Sequence, residues 1–185
     1  MQRMVLFVGV LAVVVGASTQ AKAFGIGADF GYSRTLRADP AANGYGGNLY
    51  IRPLPLPFID PEIQLGFHHL SVGKNDADHT FAVYPLLVGA RLDLPVIPIF
   101  VGAHLGFIGN HYQNVGRGPA VGDAFSNTNW DFGFNVGGGW HFLTLPLIKL
   151  GIGAWYYVIP KDRTGPNATP NFNMLSIALD ASLGF

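Results

Sequence analysis

Residues 68–71 read His-His-Leu-Ser, which puts His69 and Ser71 two positions apart. On an extended chain that spacing places an imidazole and a hydroxyl on one face. With a carboxylate, they would make the nucleophile and base of a hydrolase. Asp76 and Asp78, the next acids along, fall in a polar stretch beyond the strand rather than on an adjoining strand. The pair therefore reads first as a polar patch at a rim, and only second as a catalytic element. A larger set has the opposite parity: Asp29, Arg52, Glu62, Arg91, Asp93, Asp131, Lys149 and Asp180, with His68, His104 and His141. Three bases among five acids, all aimed inward, read as an ion-paired network filling a lumen, because buried charges need partners. The alternatives are a narrow ion path or a gate. The three histidines have no metal-ligand spacing, and no cofactor is expected.

The elements that would hold these groups follow a period of two. In residues 129–142, Trp130, Phe132, Phe134, Val136, Trp140 and Phe142 alternate with Asn129, Asp131, Gly133, Asn135, Gly137, Gly139 and His141. The same alternation gives eight strands, near 24–34, 45–53, 61–71, 80–94, 98–110, 129–142, 147–159 and 174–185. Each is close to the roughly 9–11 residues that cross a bilayer when tilted. Long polar segments follow the odd strands and short proline-bearing turns follow the even ones. One face is apolar and the other small or polar, as an antiparallel up-and-down barrel in lipid requires, because closure leaves no backbone group unpaired. Outward aromatics sort by height. Tyr32, Tyr45, Phe67, Tyr84, Phe107, Trp130 and Tyr156 fall near the loop rim, and Phe24, Trp140, Phe142 and Phe185 near the turn rim. Two aromatic girdles fit two membrane interfaces. Pro85 is a misfit within the fourth strand and predicts a bulge or an early strand end there.

The front of the chain reads as export. Arg3 precedes an uncharged apolar run from Met4 to Val15, and Ala21-Lys22-Ala23 is a small-x-small cleavage site. Residues 1–23 are read as a removed signal peptide, the run being short for a span of about 20 residues. Losing Arg3 and Lys22 from eleven basic residues leaves nine against eleven acidic ones. No basic surface remains for nucleic acid. With no cysteine there is neither a disulfide nor a lipid-attachment cysteine. Residues 94–116 are uncharged but interrupted by prolines, glycines and polar groups, which excludes a spanning helix. The glycine-rich stretches fall on strands, not in the strand–turn–helix setting of a nucleotide fingerprint. Asn167-Ala168-Thr169 is a sequon by pattern only.

The signal peptide, the eight alternating strands and the ending Ala181-Ser182-Leu183-Gly184-Phe185 resemble bacterial outer-membrane β-barrel proteins of the OmpA/OmpX/OmpW-like type. The resemblance spans residues 24–185 and implies an all-β, eight-stranded transmembrane barrel with both termini in the periplasm. It implies that Phe185 is part of the signal read by the barrel assembly machinery. It also implies partners in outer-membrane lipid and lipopolysaccharide, with an external loop partner unknown. The expected role is structural or interactive, with long loops outside the cell; a small hydrophobic-solute or ion conduit is the second expectation. His69-x-Ser71 resembles the His-x-Ser element of lipid A deacylases, which carries a third, enzymatic expectation. That family's element lies near its chain end, whereas four strands follow it here.

Overall fold

A computed structural model describes residues 24–36, 41–54, 56, 59–72, 79–94, 97–114, 125–159 and 173–184. The expected signal peptide, Asp76, Asp78, the sequon at Asn167 and the terminal Phe185 lie outside the described residues. Eight strands run in order: β1 (Gly25–Thr35), β2 (Ala42–Arg52), β3 (Ile59–Val72), β4 (His79–Asp93), β5 (Ile99–Asn114), β6 (Phe125–Thr144), β7 (Ile148–Val158) and β8 (Asn173–Gly184). Each pairs antiparallel with the next, and β8 returns to β1, so the sheet closes into a barrel.

The register shows how far the wall is sheared. Tyr32 aligns through β2–β5 with Thr128 of β6, and the other way round, through β8 and β7, with Gly138. Thr128 and Gly138 are ten residues apart, so a hydrogen-bonded row climbs the wall as it circles it. A tilted, staggered wall is the condition for closing a sheet.

Alternation produces the two faces. Phe30, Leu49, Leu65, Leu86, Leu105, Phe132 and Leu179 stand exposed outside, whereas Asp29, Asn48, Gln64, Arg91, His104, Asn135 and Asp180 are buried inside. Trp130 and Phe132 also point out, both more than half exposed. This inverts the arrangement of a water-soluble domain, in which the apolar face is the covered one.

Three features differ from the alternation reading. First, β5 and β6 are longer than expected, because His111–Asn114 and Phe125–Thr128 pair with one another. Polar composition there reads as loop, yet a ladder closes on backbone groups whatever the side chains. Second, Pro85 neither ends β4 nor bulges it. Leu65 opposes Leu86 and His68 opposes Val83 in a single register, with only the two positions between them unpaired. A Cβ on Gly66 would lie 2.8 Å from the Pro85 ring, so the glycine leaves the ring its space. The bulge lies instead in β6, where His141 opposes Gly151 but Leu143 opposes Leu150, leaving Phe142 extra.

Third, the inner face is not only small or polar. Leu70, Phe81, Val83, Ile108, Ile159 and Met174 form, with Leu87, Phe100, Trp155 and Tyr157, one buried apolar cluster inside the barrel. Most of the first six lie near strand ends at the loop rim, where polar flanking sequence hid them.

Large rings inside a narrow barrel need gaps opposite. A Cβ on Gly137 would fall 2.5 Å from Trp155, and one on Gly27 would fall 2.1 Å from Tyr50. Trp155 and Tyr50 occupy those gaps from the neighbouring strands β7 and β2.

Candidate functional site: the packed network of the lumen

Arg91 is the hub. It is fully buried, 3.1 Å through Nε from Glu62 Oε1 and 3.2 Å through Nη1 from Asp180 Oδ2. Its guanidinium lies 4.3 Å from the Phe100 ring centroid and 4.6 Å from that of Tyr50. Planar stacking of this kind suits arginine, whose delocalised charge is weakly hydrated. Tyr50 donates its hydroxyl proton to Asp180, and His141 Nε2 stands 3.7 Å from the same carboxylate.

Glu62 gathers three bases. Arg52 Nε donates to Oε1 at 2.7 Å, Arg91 approaches the same oxygen, and His104 Nε2 lies 2.9 Å from Oε2. From His104 a chain of amides continues across the lumen. His104 Nδ1 lies 2.7 Å from Asn135 Oδ1, and Asn135 Nδ2 donates to Gln64 Oε1 at 2.9 Å. Gln64 Nε2 then donates to the Tyr157 hydroxyl at 3.1 Å, which donates to Asn48 Oδ1 at 3.2 Å. Asn48 Nδ2 donates to both oxygens of Asp29, at 2.8 and 3.1 Å. All eight strands contribute a side chain to this belt: Asp29, Asn48, Glu62, Arg91, His104, Asn135, Tyr157 and Asp180, in chain order.

The remaining expected lumen groups lie around it. Lys149 pairs with Asp93 toward the turn end. Asp131 is half-buried on β6 opposite Ile108, nearer the loop end. His68 is fully buried and shares a 2.9 Å hydrogen bond with Ser33 Oγ, its ring edge against Tyr157. The three histidines thus have separate partners, and among the described residues no group of three His, Cys, Asp or Glu could hold a metal. Asn48, Gln64, Asn135, Tyr50 and Tyr157 join the network without being ionisable under ordinary conditions or singled out by their type. Their signal was the parity they share with the charged residues.

His69 and Ser71 are outside. His69 is exposed, flanked in register by Tyr45 and Ala82, and Ser71 by Asn43 and Thr80. No carboxylate stands opposite either residue on the adjoining strands.

Chemically, the lumen is a packing of ion pairs, amides and apolar side chains. The charges of Arg91, Glu62 and Asp180 are nearly inaccessible to water and are ion-paired with one another, while Arg91 Nε and Nη2 make no hydrogen bond among the described residues. Such a cluster adds little net stability over apolar packing, but removing one member strands the others.

No protein-family model matches the chain, and no curated protein matches it significantly. Solved structures do resemble it. Neisserial surface protein A superposes with a TM-score of 0.59 at 15% identity, over 88% of this chain and 97% of that one. Ail, the attachment invasion locus protein of Yersinia pestis, in complex with the heparin analogue sucrose octasulfate, gives 0.55 at 11% identity, over 88% and 99%. The N-terminal β-barrel domain of Pseudomonas aeruginosa OprF gives 0.52 at 13% identity, over 90% and 100%. The chain therefore has the fold of the bacterial outer-membrane eight-stranded β-barrels, closed and antiparallel throughout.

Proposed function

We propose that this chain is an integral protein of a bacterial outer membrane, exported by the segment 1–23, with a structural or interaction role carried by its loop end. The observation that carries the reading is the inside-out distribution of side chains. A belt of buried ion pairs occupies the middle of the barrel, and the wall around it is aliphatic and aromatic. A wall of that composition is stable in hydrocarbon and a liability in water.

The packed lumen favours this role over a conduit. A solute would have to part Arg91 from Glu62 and Asp180 and displace Trp155, Phe100 and Leu87, all within the buried interior. The enzymatic expectation lacks a carboxylate opposite His69 or Ser71. On the same reading, Phe185 addresses the chain to the assembly machinery, and the segments after β1, β3, β5 and β7 face outside the cell. The structure of Ail in complex with the heparin analogue sucrose octasulfate supports an interaction role for a barrel of this fold.

Two measurements test the proposal together. The protein is expected in the outer-membrane fraction with gel migration that shifts on boiling, and it is expected to show no discrete conductance in planar bilayers. Release into the aqueous periplasmic fraction would overturn the membrane reading. Steady unitary conductance would replace the structural role with the conduit.

A further inference from the structure

At the turn end of the barrel, below the belt, lies a cavity of about 160 Å³ whose lining falls wholly within the described residues. Arg52, Lys149 and Asp60 contribute to its polar side, and Phe24, Leu145 and Leu147 to its apolar side.

The register leaves this space open. Gly25 stands opposite Arg52 on β2 and opposite Gly184 on β8, so two facing positions at the seam carry no side chain. A Cβ on Gly25 would make only ordinary contact, at 3.4 Å, with the Arg52 side chain and the Leu183 carbonyl. The packing of its neighbours therefore does not demand a glycine there. The lip of the cavity is tied down. Leu145 N–H donates to the Ile148 carbonyl at 2.8 Å, and Gly184 N–H donates to the Leu147 carbonyl at 3.0 Å. The β6–β7 turn is thus pinned to the end of β8, which fixes Leu145 and Leu147 at the cavity's edge.

The polar side has donors in excess. Arg52 is 7% exposed; it spends Nε on Glu62, and its Nη2 has no partner among the described residues. A buried donor left unpaired costs free energy. Lys149 has three ammonium hydrogens and directs its ammonium to Asp93, which leaves it further donors. Asp60, the acid of the cavity, already has an interaction of its own. The unspent capacity is that of two bases, beside an apolar lip.

We infer that this cavity binds one small organic carboxylate, its oxygens between Arg52 and Lys149 and its apolar body against Phe24, Leu145 and Leu147. Guanidinium and ammonium donors favour a carboxylate by charge assistance. An apolar cavity of about 150 Å³ holds a benzene molecule, so the body is limited to about six carbons. The apolar lip favours an organic acid over inorganic phosphate. The site lies at the opposite end from the loop-end role proposed above and does not depend on it.

Titration of the full chain, refolded in a zwitterionic detergent, with 4-fluorobenzoate followed by fluorine NMR provides the test. Wild type is expected to bind saturably with a Kd of about 1 mM, the order suited to a ligand of about ten heavy atoms. The neutral 4-fluorobenzyl alcohol and the cationic 4-fluorobenzylammonium are expected to bind about tenfold more weakly, as for loss of one charge-assisted contact. Inorganic phosphate at equal concentration is expected not to displace the benzoate. Gly25→Leu, which fills the cavity, is expected to abolish saturable binding while keeping boiling-dependent migration, and Lys149→Gln to weaken binding about tenfold. Unchanged binding by folded Gly25→Leu would place the ligand in detergent or on the wall and overturn the inference. Equal binding of the alcohol, tighter binding of the ammonium through Asp60, or displacement by phosphate would each overturn the assigned ligand class. Should Gly25→Leu fail to fold, unchanged affinity in Lys149→Gln overturns the inference in its place.

Discussion

Asp29 stands directly opposite Asp180 across the β1–β8 seam that closes the barrel. Their environments differ. Asp180 receives Arg91 and the Tyr50 hydroxyl, whereas Asp29 receives the side-chain amide and backbone N–H of Asn48. Like charges directly opposite on a sheet repel, so the two carboxylates contribute with opposite sign.

Neutralising each in turn separates them. Asp29→Asn is expected to stabilise the barrel by about 0.2–1 kcal/mol, by removing the repulsion while keeping an oxygen for Asn48. Asp180→Asn is expected to destabilise it by about 3–5 kcal/mol, because Arg91 loses a charged partner in a buried interior. Urea unfolding in detergent micelles, followed by loss of the fast-migrating gel form, measures both. A destabilised Asp29→Asn would show that its charge is needed.

Trp155 depends on the gap opposite it. Gly137→Ala places a methyl 2.3 Å from the Ala154 carbonyl and 2.5 Å from the indole. The backbone atom cannot swing away, so the expected cost is about 1–3 kcal/mol, as for other overpacked sites. A blue-to-red shift of tryptophan fluorescence at lower urea than in wild type is the check.

The outward wall makes a prediction that depends on its solvent. Leu179 is 65% exposed in mid-strand on β8. In a bilayer, Leu179→Arg is expected to cost about 2–4 kcal/mol, the price of a cation near the hydrocarbon midplane. In water the same change would cost almost nothing. Refolding yield into lipid vesicles across a urea series distinguishes the two.

His69→Ala and Ser71→Ala are expected to leave the acylation pattern of the membrane glycolipid unchanged, since no carboxylate completes a catalytic set on the adjoining strands. Mass spectrometry of extracted lipid, with and without overexpressed wild type, provides the comparison. Loss of an acyl chain with wild type but not with Ser71→Ala would establish the hydrolase.

The wall was largely legible in the residues themselves. Trp130, Phe132 and Phe134 alternate with Asp131 and Gly133, and a period of two admits few other readings. The strand ends were less legible, because His111–Asn114 and Phe125–Thr128 look like loop and pair as ladder. Pro85 misled because propensity rules weigh the missing donor and overlook Gly66 across from it. For the lumen, parity identified which residues face in, but not which meet. Gln64 reaches Tyr157 across 93 positions of chain only because the wall is staggered by the observed amount. Stagger belongs to the closed sheet, and no single strand encodes it.

The belt's links to the last strand also bear on how the molecule is made. Tyr50 and Asp180 are 130 positions apart, and Arg91 and Asp180 are 89 apart. Until the last strand docks, Arg91 lacks its second carboxylate and the Tyr50 hydroxyl lacks its acceptor. Full pairing of this ionic centre is therefore reached only when the barrel closes.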